Sequence, residues 1–244
     1  MNIGLFIPCY VDALYPQVGV LTYRLLRKLL PESHIDYPLE QTCCGQPMGN
    51  AGFQKLSNGL VEKYDKLFSA FDYVVSPSAS CAAYVRTFYP LTYRHPCKAA
   101  SHTMDLVEFL HDVVRPASLP ARFPYTVSLH NSCHGVRELG LSSPSEKVVE
   151  RYSKMRSLLS LVSDIHIVEP ERPDECCGFG GMFSIEEPHV SACMGMDKLE
   201  RHIQTGADFI TGPDSSCLMH LQGLAMKSGK QIQFKHIVEI LTAF

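Results

Sequence analysis

The chain has 244 residues, 45% hydrophobic and 19% charged, which suits a globular protein with one large core or two smaller ones. Its net charge of -3 and lack of any Lys/Arg cluster exclude a nucleic-acid partner, and no apolar run approaches the roughly 20 residues that cross a bilayer. The opening run Met1 to Ile7 lacks the basic start and cleavage site of a signal peptide, so a cytoplasmic location without a direct membrane span is expected. In that compartment ten cysteines read as metal ligands rather than disulfides.

In chain order, Ile3 to Ile7 is strand-like and ends in Pro8-Cys9. Leucines 21, 25, 26, 29 and 30 recur at helical spacing, predicting a helix from Val18 to Leu30 that Pro31 stops. A strand over His34 to Leu39 leads into Thr42-Cys43-Cys44-Gly45. A helix over Gln54 to Phe71 precedes the strand Asp72 to Val75, which delivers Ser78-Ala79-Ser80-Cys81; a short helix and the apolar tail Leu106 to Leu110 follow. The same order then returns. Tyr125 to His130 is a strand ending at Cys133, Ser145 to Val162 a helix, and Ile165 to Val168 a strand running on to Cys176-Cys177-Gly178. A helix over Pro188 to Gln204, the strand Asp208 to Thr211, the turn to Cys217 and the tail Ile237 to Leu241 complete the repeat.

An internal duplication of this kind, alternating strands and helices, predicts two pseudo-symmetric α/β domains with mostly parallel sheets. Pro116, Pro120 and Pro124 mark an elbow, dividing the chain into 1–118 and 119–244. In parallel sheets ligands gather beyond the carboxyl ends of the strands. Each half should therefore gather four thiols there: Cys9, Cys43, Cys44 and Cys81, then Cys133, Cys176, Cys177 and Cys217. Vicinal cysteines on a straight strand point to opposite faces, but a tight loop opened by the following glycine turns both to one side. Four thiolates suit an iron–sulfur cluster or zinc. The wide spacing and the bare amides of Gly178, Gly180 and Gly181 favour a cluster, more so in the second half.

Cys97 and Cys193 fall outside the repeat and read as buried free thiols. The Gly178-Phe179-Gly180-Gly181 run is not a dinucleotide loop, because Phe183 takes the place of its last glycine. His130 and His134 flank Cys133; packing or solvent is the ordinary fate of such side chains, and a proton-accepting role is the functional alternative.

The stretches Gln41 to Gly49, Cys176 to Ser184 and Asp214 to Leu218 resemble the lactate utilisation protein A family. That family carries two cysteine-rich CCG domains related to those of heterodisulfide reductase and of the iron–sulfur subunit of glycolate oxidase. The resemblance implies an oxidoreductase subunit of a multi-protein system turning L-lactate, a small 2-hydroxy acid, into pyruvate. It also implies a ferredoxin-type iron–sulfur partner and a third small subunit. The reductase has a further cysteine at the positions held here by Ser78 and Asp214. With four thiolates per site an ordinary [4Fe–4S] cluster is the expectation, with Asp214, and Ser78 more weakly, as an oxygen ligand or its neighbour. A thiol/disulfide redox subunit and a zinc-stabilised scaffold are the alternatives.

Overall fold

A computed structural model describes residues 1–92 and 97–243. Four short strands, β1 (Asn2–Leu5), β2 (His34–Asp36), β3 (Tyr73–Ser76) and β4 (Thr103–Asp105), form an all-parallel sheet of order β2-β1-β3-β4. The second half repeats it with β5 (Thr126–Leu129), β6 (His166–Val168), β7 (Phe209–Gly212) and β8 (Gln233–His236), in the order β6-β5-β7-β8. The predicted α/β class and duplication are therefore present. The central strands β1, β3, β5 and β7 are mostly buried, as sheets covered by helices on both faces require.

The helices that position the site are α1 (Cys9–Leu14), α2 (Pro16–Leu29), α3 (Gln46–Asn50), α4 (Asn58–Phe68) and α5 (Ala79–Thr92) in the first half. After α6 (Lys98–His102) and α7 (Leu106–Glu108), the second half has α8 (Cys133–Arg137), α9 (Lys154–Leu159), α10 (Phe183–Glu186), α11 (Pro188–Gln204), α12 (Ser215–Lys227) and α13 (Ile237–Leu241). The amphipathic pattern of α2 buries Val18, Leu25 and Leu26. Pro16 starts it at a position where a missing N–H costs nothing.

The two halves share one core. Leu5, Val18, Leu26, Leu106 and Leu110 join Val127, Leu129, Leu159, Ile237 and Leu241 in a continuous cluster. The apolar tails are responsible: α13 packs on α2 of the first half, and α7 packs on α9 of the second. Each fully buried Leu or Ile contributes about 1.5–3 kcal/mol, so this exchange welds the halves. The elbow joins in, since Leu119, Ala121 and Phe123 are also core residues.

Several predicted boundaries move. The helix expected over Ser145 to Val162 shrinks to α9. Its cap Ser153 accepts a hydrogen bond from Arg156 N, while Ser143 Oγ accepts from Tyr152 N and the backbone pairs across Ser142 and Ser153. Serine side chains compete with helix for backbone groups, and here they close a loop instead. The helix expected over Gln54 to Phe71 begins as a 3-10 turn, Gln54–Ser57, before α4. The edge strands β4 and β8 and the helices α1 and α12 were not anticipated, whereas α11 spans the expected residues.

Candidate metal centre

The cysteines after the central strands all lie where a helix begins. Cys9 and Cys133 are the first residues of α1 and α8, and Cys81 and Cys217 sit in the first turns of α5 and α12. There the free N–H groups and the positive end of the helix dipole favour an anion. The vicinal pairs arrive on loops turned by Gly45 and Gly178, with φ of 85° and 83°. Each glycine then donates its N–H to the first sulfur of its pair: Gly45 N to Cys43 Sγ at 3.4 Å, Gly178 N to Cys176 Sγ at 3.3 Å.

Both loops are pinned from below. Gln41 accepts from Ile7 N at 2.7 Å and donates to Leu5 O at 3.1 Å, tying the first loop to the end of β1. The Tyr89 hydroxyl donates to Cys44 O at 2.7 Å. In the second half the fully buried Lys198 donates to the carbonyls of Arg172 and Pro173, both at 2.9 Å. Burial pulls its ammonium down to about 8.

The sulfurs approach one another in pairs within each half. Cys9 Sγ lies 3.7 Å from Cys43 Sγ, Cys44 Sγ 3.4 Å from Cys81 Sγ, and Cys133 Sγ 3.9 Å from Cys176 Sγ. Cys177 and Cys217 stand together, with their sulfurs and a ring nitrogen of His130 all within 4.8 Å. Thiols so close cannot all ionise. Hydrogen bonds from Cys44 and Cys9 pull Cys43 down to about 2, and bonds from Cys133 and Cys177 do the same to Cys176. Cys9, Cys44, Cys133 and Cys177 are pushed up by those same bonds and by burial. A cation is what allows such a quartet to become four thiolates, so the donor set fits a thiolate-bound metal centre in each half.

All eight cysteines line one cavity of about 200 Å³. Residues of both halves meet across it: Tyr10 and Phe179 edge to face at 5.8 Å, Asn50 Nδ2 donating to Gly180 O at 3.2 Å, and Gln46 Nε2 standing 3.5 Å from His134 Nε2. The two histidines part company. His134 lines the cavity; His130 is 1% exposed and is not among its lining residues. Cys97 is buried as expected, and burial pushes its thiol up to about 11. Cys193 departs from expectation and is exposed on α11.

Asp214 has partners other than a metal. Fully buried, it accepts from Ser78 Oγ and Ser80 Oγ at 2.8 Å, from Ser80 N at 3.1 Å and from Ser132 Oγ at 2.5 Å. Ser78 and Ser80 belong to the first half, so the carboxylate of the second half clasps the first. Beneath it lie Asp105 and His236, both buried and each capping the helix after an edge strand. Burial and then the charge of Asp214 push the Asp105 carboxyl well above the usual range. Sequence reasoning missed this layer, although Ser80 and Ser132 each stand directly before a cysteine.

Three buried histidines make the protein acid-sensitive. Burial holds His130 down to about 3 and also lowers His202 and His236 from the ordinary 6.5. Below pH 6.5 the unfolded chain binds more protons than the folded one, so stability falls as pH falls. His202→Gln, which offers Ser128 Oγ a replacement for the ring nitrogen now 2.8 Å away, should recover part of the urea-unfolding loss between pH 7 and 5. An unchanged loss would mean that His202 charges in the folded protein.

Among the described residues no helix is long and apolar enough to cross a membrane. The family model for the CCG cysteine-rich domain matches residues 3–86 and again 127–222. Lactate utilization protein A of Exiguobacterium sp. is 35% identical, covering 98% of this chain and 96% of its own length. That of Geobacillus thermodenitrificans is 36% identical over 99% and 98%, and lactate utilization protein A 1 of Bacillus mycoides 33% over 99% and 96%. With two matched CCG domains and relatives of this similarity along the full chain, the protein belongs to the lactate utilization protein A family.

Proposed function

We propose that the chain is the redox subunit of a system oxidising L-lactate to pyruvate. On this reading one [4Fe–4S] cluster is held by Cys9, Cys43, Cys44 and Cys81 and another by Cys133, Cys176, Cys177 and Cys217. The observation that carries the proposal is the convergence of all eight cysteines on one cavity. Conversion of a 2-hydroxy acid to a 2-keto acid removes two electrons and two protons. When bound, two clusters supply two one-electron acceptors on the walls of a single cavity, matching that stoichiometry.

The chain's own residues bind and orient. His134, half-buried on the cavity wall beside Cys133 and Gln46, is the base for both protons, passing that of the substrate hydroxyl to solvent before it takes the one from C2. The Gln46 amide donates to the carboxylate, and Tyr10 and Phe179 keep water from the site. Electrons then pass to the partners this reading calls for, a ferredoxin-type iron–sulfur protein and a third small subunit.

A second reading has support in one distance. Sulfurs paired at 3.4–3.9 Å match a single tetrahedral zinc, whose ligands of about 2.3 Å set sulfurs about 3.8 Å apart; a zinc-stabilised scaffold would follow. The thiol/disulfide alternative has less, because Ser78 and Asp214 bond to each other and leave no open ligand position. Iron and zinc analysis of anaerobically prepared protein, with EPR before and after dithionite, separates these readings. About eight irons and a reduced-state signal are expected, and Cys177→Ser should remove about half of the iron. One zinc per site with no signal would replace the redox reading by the scaffold.

A further inference from the structure

The two halves differ at one buried position. Phe6 N donates to Val75 O and His130 N to Thr211 O, and Cys81 and Cys217 each follow six residues after those carbonyls, so Phe6 and His130 occupy equivalent places at the ends of β1 and β5. Phe6 is a core residue, its ring edge-on to Tyr64 at 5.1 Å and near Phe68 at 5.8 Å. His130 is just as buried but polar, and neither of its ring nitrogens makes a hydrogen bond. Leaving a buried polar atom unpaired is unfavourable, a cost that phenylalanine avoids in the first half.

The surroundings make room for that ring rather than satisfy it. Residue 212, equivalent to Ser76, is glycine, and a Cβ there would stand 2.8 Å from His130 O and 3.3 Å from its Cδ2. His202 lies 5.8 Å away between ring centroids, but its Nδ1 is engaged with Ser128 Oγ. What the imidazole does reach is the second thiolate site, within 4.8 Å of both Cys177 and Cys217 sulfurs.

We infer that His130 is a nitrogen ligand of the metal at the second site, sharing it with Cys177 and Cys217, and that the first site is bound by sulfur alone. The inference rests on the metal-site reading above and deepens it. Buried with both ring nitrogens unpaired, the imidazole has a lone pair free to ligate. A mixed sulfur and nitrogen set accepts zinc as well as cluster iron; with His130 in the shell beside Cys177 and Cys217, one of Cys133 and Cys176 gives up its place, and a neutral ligand in place of an anionic one would raise the potential of a cluster held there. Clusters held at the two sites would then differ in potential, the second being the stronger acceptor. As a ligand His130 is unavailable as a base, which leaves that role to His134.

The test loads the full metal-free chain with NMR-active cadmium, a soft ion with the same taste for thiolates, after growth on heavy-nitrogen histidine. Two cadmium resonances are expected, one a singlet and the other split into a doublet by the bound nitrogen. The doublet should survive His134→Gln, whose Nδ1 lies 3.7 Å from Cys133 Sγ, and should be lost in His130→Phe with the singlet unmoved. Two singlets in the wild type, or loss of the splitting in His134→Gln, overturns the assignment while leaving the metal sites intact. Failure of cadmium to bind either site overturns the metal-site reading and the ligand with it. The wild-type spectrum decides the matter even if His130→Phe does not fold.

Discussion

Asp214→Ala should be among the most damaging single substitutions in this protein, costing about 3–5 kcal/mol in denaturant unfolding. Removing one partner from a buried charged network leaves the others unpaired, and here four donors lose their acceptor: the hydroxyls of Ser78, Ser80 and Ser132 and the N–H of Ser80. Relief of repulsion on the buried Asp105 carboxyl offsets little, because that group is already pushed toward its neutral form. Against a typical total of about 5–15 kcal/mol the loss is severe. Ser132→Ala, which removes one of the bonds, should cost about 1–2 kcal/mol.

A second effect of Asp214→Ala follows from where the clasp sits. Ser78 Oγ also accepts from Cys81 N at 3.4 Å, so a loosened Ser78 carries Cys81 with it. The first site should bind metal more weakly although the substituted residue belongs to the second half. If metal content at the first site is unchanged while stability falls, the clasp serves folding alone. If neither changes, the serines have found other partners and the network is not what joins the halves.

The repeat was legible because each chemical residue follows a strand whose apolar pattern is short but clear. Ile3 to Ile7 ends at Cys9 and Tyr125 to His130 at Cys133, and parallel pairing of β1 with β3 and β5 with β7 then brings distant cysteines to one edge. What was not legible depends on contact between the halves. Nothing local marks Asp214 as a partner of Ser78 and Ser80, which are 136 and 134 residues away. The single cavity was equally hidden, since two separate sites and two facing sites have the same spacing along the chain. Edge strands β4 and β8 escaped because three or four residues with polar members carry no period. The helix around Ser145 to Tyr152 was over-read because serine bonds to backbone, not apolar spacing, decide that segment.

The two Cys-Cys-Gly loops look alike in sequence, yet alanine should affect them very differently. Gly45 and Gly178 both have left-handed backbones, where any other residue costs about 1–2 kcal/mol. Around Gly45 a new Cβ would meet Leu60 Cδ1, the end of a flexible side chain, at 3.2 Å and Ser57 Cβ at 3.3 Å, tight contacts that a small shift relieves. Around Gly178 it would meet Ser191 O at 2.6 Å and Met194 Cβ at 2.8 Å, and Ser191 is held in the backbone of α11. A helix cannot yield locally without losing its own hydrogen bonds, so the loop must move instead. Gly45→Ala should therefore lower stability by about 1–2 kcal/mol and keep its metal. Gly178→Ala should cost about 3–5 kcal/mol, displace Cys176 and Cys177 together, and empty the second site while the first stays loaded. Metal analysis and thermal unfolding of the two variants check this directly. Equal effects would show that the left-handed turn, not the close approach to α11, is what both glycines provide.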